Sequence, residues 1–262
     1  MGTEVRYEFN EQKCAEAKNK IGKNTIIGEI WRKKFAPSNK IGNMTTLYRS
    51  LNPIDCKDFY EKYIHNAEEH HNQSVWKRGL TYGELLTLAQ NYRTDVEKKI
   101  GITYDLEEFF YDALSHIIIE TWEGQQNERD FKQYLKGLGY ECSDFDGHND
   151  GKYGLDIKVT RDDGKVSGIQ IKPITFFKSW RDDVQKDRIN LCRKYEMALN
   201  DMGIKTYYAI YEKDEKSNKV SWVKNGDMFR FRINELFSYD PEDIEGTFVR
   251  RRLPDIKEQL PI

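Results

Sequence analysis

Three polar side chains in the middle of the sequence could share one patch on a β-sheet. Asp156 lies in the run 154–159, and Gln170 and Lys172 lie in the run 168–173 after a turn. Because successive side chains of a strand point to opposite faces, Gln170 and Lys172 lie on one face, and a hairpin between the two runs brings Asp156 beside them. The pattern therefore predicts a carboxylate, an amide and an ammonium group in one patch.

This combination of groups suits the hydrolysis of phosphodiester bonds. A carboxylate such as Asp156 can hold Mg²⁺, which polarises the scissile phosphate and lowers the pKa of a bound water, and a lysine such as Lys172 can orient or deprotonate that water. The backbone carbonyl of Ile171 could be a further ligand, because hard cations accept carbonyl oxygen. Mg²⁺ is therefore the expected cofactor.

Short strands and a long helix are predicted around this patch. Residues 140–145, 153–160 and 166–173 are short runs separated by Asp- and Gly-rich turns, which is typical of a three-stranded meander. Residues 182–202 have helical periodicity, and 204–211 are nearly all apolar, β-branched or aromatic, as in a strand covered on both faces. The predicted fold class is α/β of the α+β type, with a central mixed β-sheet flanked by helices.

Helices are also predicted upstream of the patch. Apolar residues recur at helical spacing from Leu106 to Ile118, and a second helix that carries Glu128 is expected after Gly124. His116 in the first of these helices is expected to be a partly buried core residue. Residues 1–104 contain short periodic runs between Gly and Pro, which indicates several short helices. We therefore divide the chain into a mostly helical part, 1–104, and a core, 105–262.

The last part of the sequence adds a predicted hairpin and several arginines. The runs 220–224 and 228–233 flank Asn225-Gly226, which is typical of a type I′ turn. Four arginines in this part of the chain could contact phosphates, although a solvated charged face explains them equally well. These candidate DNA-binding residues are Arg230, Arg232, Arg250 and Arg251.

Composition narrows the class of protein without deciding its function. With 42 Lys and Arg against 44 Asp and Glu in 262 residues, the net charge of −2 excludes a generally basic nucleic-acid coat but not a nuclease with an acidic metal site. The sequence contains no apolar run of about 18 residues and no apolar segment near its start, so we expect no membrane span, no secretory signal and a cytoplasmic location. The four cysteines are widely separated and form no CxxC pair, which predicts reduced thiols.

Taken in order along the chain, these features resemble the PD-(D/E)XK nuclease superfamily. The helix start 124–128 matches the family's G-x-x-x-E, Gly154-x-Asp156 matches its aspartate position, and Gln170-Ile171-Lys172 matches its last motif. The resemblance implies a restriction-endonuclease-like core in which Asp156, Gln170, Lys172 and Glu128 are catalytic. It also implies that Asp156, Glu128 and the Ile171 carbonyl hold Mg²⁺. Two positions depart from the pattern: Leu155 replaces the family's proline, and Gln170 replaces the usual acidic residue.

Within that superfamily the chain is similar to type II restriction endonucleases, and most of all to the MjaI-like family. The resemblance implies sequence-specific cleavage of double-stranded DNA. Cutting both strands of a short palindrome requires two equivalent sites, so a homodimer is expected, with the N-terminal part providing DNA contacts or the dimer interface. Because Gln170 brings no negative charge, Glu128 becomes more important for the metal ion.

Several alternatives stay open at this point. A structure-specific nuclease, such as a junction resolvase or a repair endonuclease, could use the same core. A DNA-binding module with a disabled centre is suggested by Gln170 and Leu155. Glu120 could replace Glu128 as the helix carboxylate. A zinc site is disfavoured because its possible ligands have poor spacing; these are Cys56, His65, His70 and His71.

Overall fold

The protein consists of two compact units. A computed structural model describes residues 6–22, 24–145, 152–160, 164–178, 182–214, 220–222, 228–230 and 249–250. The first unit is Met1–Gln126 and the second is Asn127–Ile262. The sequence had placed the boundary after residue 104, whereas the division in the structure lies within a helix.

All secondary-structure elements in the described residues of the first unit are helices. Three five-residue segments of wider, π-helical turn interrupt or extend its α-helices: Lys18–Gly22, Trp31–Phe35 and Ser115–Ile119. The α-helices are α1 (Glu11–Ala17), α2 (Thr25–Ile30), α3 (Ser38–Ile41), α4 (Met44–Leu51), α5 (Cys56–Glu69), α6 (Val75–Arg78), α7 (Tyr82–Ile100), α8 (Leu106–Leu114) and the beginning of α9 (Glu120–Gly137). Several short helices were predicted here, and the structure confirms them.

Local capping explains where the longer helices begin. The Asp55 side chain accepts a hydrogen bond from the Asp58 N–H at 2.8 Å and so caps α5. At the start of α7, Thr81 and Glu84 form a capping box, and Glu84 also pairs with Arg78 at 2.7 Å. The Arg78 hydrogen bond lowers the pKa of Glu84 to about 2 despite the opposing effect of burial.

Helix α8 belongs to the core of the first unit. Most of the predicted apolar face is buried and packs with Tyr92 of α7 and the N-terminal helices, whereas Leu106 at its start is partly buried. The buried residues of α8 and of the π-helical turn after it are Phe109, Phe110, Ala113, Leu114, Ile117 and Ile118. The helical chain then continues from α8 through the π-helical turn into α9. The predicted break at Gly124 is therefore wrong: Gly124 lies inside α9, where a glycine costs only about 1 kcal/mol relative to alanine.

The second unit is built around one mixed sheet. Its described strands are β1 (Glu141–Asp144), β2 (Ile157–Thr160), β3 (Val166–Pro173), β4 (Lys205–Lys213), β5 (Val220–Trp222), β6 (Met228–Arg230) and β7 (Val249–Arg250). The strand order is β1-β2-β3-β4-β6-β7, with β5 also paired to β4. Only the β3–β4 pair is parallel among the described strands, and two helices lie between these strands in the chain: α10 (Ile174–Lys178) and α11 (Asp182–Met202). The structure confirms the predicted meander, the crossing helix and the following strand.

Helices cover both faces of this sheet. On one face, Phe131 and Leu135 of α9 pack against the side chains of Ile157, Ile169 and Ile171. On the other face, Ala198 and Tyr195 of α11 belong to a second cluster that includes Leu155 and Ile204. The alternation of β3 therefore places Gln170 and Lys172 on the α11 face. The expected α+β class with a mixed sheet and flanking helices is confirmed at this level.

The predicted C-terminal hairpin is wrong in its pairing. Strands β5 and β6 do not pair with each other; each lies antiparallel to β4, β5 against 211–213 and β6 against 208–209. Both segments pair with the open edge of the long strand β4, so their backbone hydrogen bonds do not require a hairpin between β5 and β6. The predicted turn residues, Asn225 and Gly226, lie outside the described residues.

Two further predictions concern the whole chain. Within the described residues, none of the helices is both long enough and apolar enough to cross a membrane. Cys14, Cys56 and Cys142 are buried and form no disulfide, and the side chain of Cys192, the fourth cysteine, is not among those that the structure describes.

Candidate active site

Asp156 closes the hydrogen-bonded ladder between β2 and β3. Its backbone N–H donates to the Ile169 carbonyl at 2.9 Å, which extends the antiparallel pairing by one residue beyond Ile157. Its side chain then turns back, and Oδ2 accepts a hydrogen bond from the Ile171 N–H at 2.7 Å. The carboxylate thus takes the place of a backbone acceptor at the point where β2 begins.

Gln170 provides a second donor to the same carboxylate oxygen. Gln170 directly follows Ile169, the strand partner of Ile157, and its Nε2 donates to Asp156 Oδ2. The Gln170 side chain is only 3% exposed, and its Oε1 lies 3.5 Å from the hydroxyl of Tyr195 on α11. The predicted proximity of Asp156 and Gln170 is therefore present, and Tyr195 extends the contact to the covering helix.

Gly154 allows α11 to lie close to this pair. Its φ of +64° is in the left-handed region that favours glycine. A Cβ at this position would lie 3.1 Å from Leu191 Cδ2, 3.4 Å from Lys194 Cδ and 3.6 Å from Gln170 Oε1. The spacing Gly154-x-Asp156 therefore has a structural reason here: the turn needs a glycine both for its backbone angle and for its contact with α11.

Lys172 lies at one side of an open groove between β3 and α11. Its Nζ is 5.7 Å from the centre of the Phe176 ring, within range of a cation–π contact. The groove has a volume of about 510 Å³, and its lining residues are Lys172, Phe176, Asp187, Asn190, Leu191, Arg193, Lys194 and Met197. Three cationic side chains against one carboxylate make it locally basic, in a chain whose net charge is −2.

The structure places the two candidate helix carboxylates in different surroundings. Glu128 is partly buried on α9, one turn before Phe131, which packs on the sheet face opposite to Gln170. Glu120 is the first residue of α9 and accepts contacts at 3.0 Å from Lys18 and from His116 in the first unit. Among the described residues, no group of three or more His, Cys, Asp and Glu side chains could hold a metal ion.

The donor set at Asp156 nevertheless fits a hard cation. In a strand, the N–H and C=O of one residue point to the same side, so the Ile171 carbonyl lies on the strand edge where its N–H meets Asp156. Mg²⁺ is commonly held by one or two carboxylates together with water and substrate phosphates, rather than by a complete protein cage. The Asp156 carboxylate and the Ile171 carbonyl would be the ligands that the protein contributes.

The four candidate arginines are only partly described. Arg230 lies in β6 and Arg250 in β7, and these strands pair so that Arg230 is opposite Val249 and Phe229 is opposite Arg250. The backbone thus brings the two arginine positions to neighbouring sites on two adjacent strands. Arg232 and Arg251 lie outside the described residues.

Several residues of the site were not singled out from the sequence. The helical periodicity of residues 182–202 includes Tyr195 only as an apolar position and gives no indication of a role for Arg193 or Lys194. The sequence does place these three residues on the helix that follows the Q-x-K strand. Because this helix connects two parallel strands, it must cross back over the sheet, and some of its side chains must face the site. The side chains of this helix that reach Gln170 are determined by the angle at which the helix crosses the sheet. The spacing of residues in the sequence does not predict that angle.

A separate polar cluster lies inside the first unit. His116 is 14% exposed and stacks on Trp31 with ring centres 4.8 Å apart, which confirms the expected partly buried residue. Its Nδ1 lies 3.0 Å from Glu120 Oε1, and its Nε2 lies 3.7 Å from Asp112 Oδ2. Burial acts to lower the pKa of His116, but the hydrogen bond to Glu120 and the negative charges of Glu120 and Asp112 outweigh it and raise that pKa. Burial raises the pKa of Asp112.

Comparisons of this chain with models of protein families, with curated proteins and with solved structures give no match. The functional argument is therefore carried by the contacts of Asp156, Gln170 and Lys172 and by the groove beside them.

Proposed function

We propose that this protein is a Mg²⁺-dependent endonuclease that hydrolyses phosphodiester bonds of double-stranded DNA. The observation that carries the proposal is the position of Asp156. Its carboxylate is fixed at the end of β2 by the Ile171 N–H and by Gln170, and Lys172 follows on the same face of β3. A carboxylate and a lysine held by two adjacent strands, beside a basic groove, are suited to binding and cleaving a phosphodiester.

In the proposed hydrolysis, each residue of the site has a separate role. Asp156 and the Ile171 carbonyl would hold Mg²⁺, which supplies polarisation of the scissile phosphate and acidification of a water molecule when bound. Lys172 orients the attacking water and stabilises the negative charge that grows on the phosphate in the transition state. Arg193 and Lys194 line the same groove and contact the phosphates on either side.

The finer proposal is a sequence-specific type II restriction endonuclease that acts as a homodimer. Its support is the order of elements in the second unit, together with the matches to the PD-(D/E)XK pattern at Gly154, Asp156 and Gln170–Lys172. In this proposal the first unit contributes DNA contacts or the dimer interface. Arg230, Arg232, Arg250 and Arg251 are the candidate phosphate contacts outside the groove.

A cleavage assay on a phage genome tests the proposal. The purified protein with Mg²⁺ is expected to give discrete DNA bands, and Asp156→Asn should abolish them at any Mg²⁺ concentration without unfolding the protein. Asp144→Asn is the matched control, because Asp144 is an exposed carboxylate on the neighbouring strand β1, where it pairs with Lys132. If Asp156→Asn gives bands of unchanged intensity, Asp156 is not a required metal ligand and the proposed mechanism is wrong.

One observation favours a second candidate, a DNA-binding module without activity. Asp156 Oδ2 is engaged by two donors, and the described residues contain no cluster of three acidic or other metal-binding side chains. The same assay separates the candidates. Intact DNA that is nevertheless retarded in a gel indicates the binding module, whereas cleavage of a four-way junction but not of the phage duplex indicates a structure-specific nuclease.

A further inference from the structure

Gln170 lies between Asp156 and Tyr195 and contacts both through opposite ends of its amide. The amide nitrogen donates to Asp156 Oδ2, and the Tyr195 hydroxyl donates to the amide oxygen at 3.5 Å. The side chain is 3% exposed, so little water competes for either end. A buried amide in this arrangement has each of its polar ends directed to a specific partner.

The direction of the amide is what matters for Asp156. An amide can present either its oxygen or its nitrogen, and only the nitrogen can donate to a carboxylate. The Asp156 carboxylate selects the orientation in which the nitrogen faces it, and the Tyr195 hydroxyl donates to the amide oxygen on the α11 side and so holds the amide in that orientation. Tyr195 is itself held by an edge-to-face contact with Tyr208, at 5.4 Å between ring centres, and Tyr208 is opposite Gln170 in the parallel register.

We infer that Gln170 and Tyr195 are positioning residues for Asp156, and that Gln170 is not a ligand of the metal ion. Two donors on Oδ2, the Ile171 N–H and the Gln170 amide, hold the Asp156 carboxylate in one orientation. The inference rests on the proposed function, since it assigns roles within the same site. It also explains how an amide can occupy the position where the PD-(D/E)XK pattern has an acidic residue: the amide would orient the one carboxylate that is proposed to bind the metal ion.

The two possible roles of Gln170 predict opposite effects of removing the Tyr195 hydroxyl. If Gln170 positions Asp156, Tyr195→Phe loosens the amide and weakens metal binding. If Gln170 is instead a ligand through Oε1, the hydroxyl competes with the metal ion for that oxygen, and Tyr195→Phe leaves metal binding unchanged or strengthens it. The sign of the change therefore distinguishes a positioning residue from a ligand.

The experiment measures Mn²⁺ binding to the full chain by titration calorimetry, together with the far-UV circular dichroism of each variant. Residues that orient metal ligands typically change metal affinity about 10- to 100-fold when removed. We expect a loss in this range for Gln170→Met, which keeps the size of the side chain but has no donor, and a smaller loss for Tyr195→Phe. Thr206→Val is the matched control, because it also removes a buried polar group, on the adjacent strand β4.

The outcomes separate this inference from the proposed function. A folded Tyr195→Phe protein that binds Mn²⁺ as tightly as the wild type, or more tightly, overturns the inference even if the wild type cleaves DNA. A loss of affinity in Thr206→Val equal to that in Gln170→Met overturns it as well, since the effect would then be general to the sheet. A wild-type chain that binds no Mn²⁺, or binds it equally well as Asp156→Asn, overturns both the inference and the proposed function.

Discussion

Lys172 is the residue whose behaviour best separates an enzyme from a DNA-binding protein. Its side chain lines the groove, and its ammonium group lies near the Phe176 ring. A purely structural lysine packs its stem and keeps its head in water, so that its removal changes activity little. An ammonium group that acts on the reacting phosphate contributes more in the transition state than in the bound substrate.

We therefore expect Lys172→Ala to lower the rate of cleavage at saturating Mg²⁺ by about 100-fold or more, while DNA affinity changes only a few-fold. Single-turnover cleavage and a gel-shift titration measure the two quantities on the same duplex. Lys165→Ala, on an exposed lysine just before β3, is the control and should retain the wild-type rate. Equal losses of binding and cleavage in Lys172→Ala would assign Lys172 to substrate binding alone.

His116 makes the stability of the first unit depend on pH. Its pKa is raised in the folded state, so its favourable interactions are complete below the unfolded value of about 6.5 and are lost as pH rises through the higher folded value. His116→Gln should therefore reduce the free energy of unfolding at about pH 6 by on the order of 1 kcal/mol, and by less at about pH 9.

Urea unfolding of both proteins at the two pH values measures this difference. His65→Gln is the control, because His65 is an exposed histidine that lies 3.8 Å from Glu69 without burial. A difference between wild type and His116→Gln that grows with pH would mean that the neutral imidazole is the stabilising form.

At the scale of elements, the contact between α11 and the turn before β2 determines whether the site is assembled. Gly154 has a left-handed φ, and a Cβ added to it would lie 3.1 Å from Leu191, whereas Gly164, at φ +75°, has open space around it. Both glycines would suffer the backbone cost of a side chain, about 1–2 kcal/mol. Only at Gly154 would the added methyl group also press on a side chain of α11, that of Leu191.

Gly154→Ala should therefore lower the free energy of unfolding by at least about 1 kcal/mol more than Gly164→Ala, because overpacking adds to the backbone cost. Urea midpoints of the two variants give the comparison. Gly154→Ala should also reduce DNA cleavage, since α11 carries Tyr195 and the basic side chains of the groove. Identical midpoints would show that α11 adjusts to the methyl group without cost.

The sequence predicted the elements that depend on local pattern. Strands β1 to β3 follow from alternation between Asp- and Gly-rich turns, and α11 follows from its helical period. The adjacency of Asp156 and Gln170 could be predicted because a hairpin fixes register. The pairing of β5 and β6 with β4 could not be predicted, since it depends on which strand edge is open, and the contact of Tyr195 with Gln170 depends on how α11 crosses the sheet.

At the scale of the whole molecule, each chain has one Asp156 site, and this number limits how double-stranded DNA could be cut. A single site cuts one strand, so a double-strand break requires two chains on one duplex. Wild type mixed with an excess of Asp156→Asn should therefore convert supercoiled plasmid mainly to nicked circles, because most wild-type chains are then in dimers that contain one active site. Agarose gel electrophoresis separates nicked from linear plasmid.

The control for added protein in this mixing experiment is an equal mass of bovine serum albumin, which should leave the formation of linear plasmid unchanged. Asp144→Asn cannot take this place, because that variant is expected to be active. If linear plasmid forms at the wild-type rate in the presence of excess Asp156→Asn, each chain cuts both strands by itself, and the proposed dimer is wrong.

The hydrogen bond from the Ile171 N–H to Asp156 Oδ2 turns one backbone amide into a spectroscopic sensor of the site. Most amides of a sheet report only on their strand partners, but this N–H donates to a carboxylate, with 2.7 Å between the Ile171 nitrogen and Asp156 Oδ2. Its nuclear magnetic resonance frequency should respond to the ionisation of Asp156 and to any cation that the carboxylate binds. Metal occupancy of the site could thus be followed in solution through a single resonance, without DNA and without catalysis.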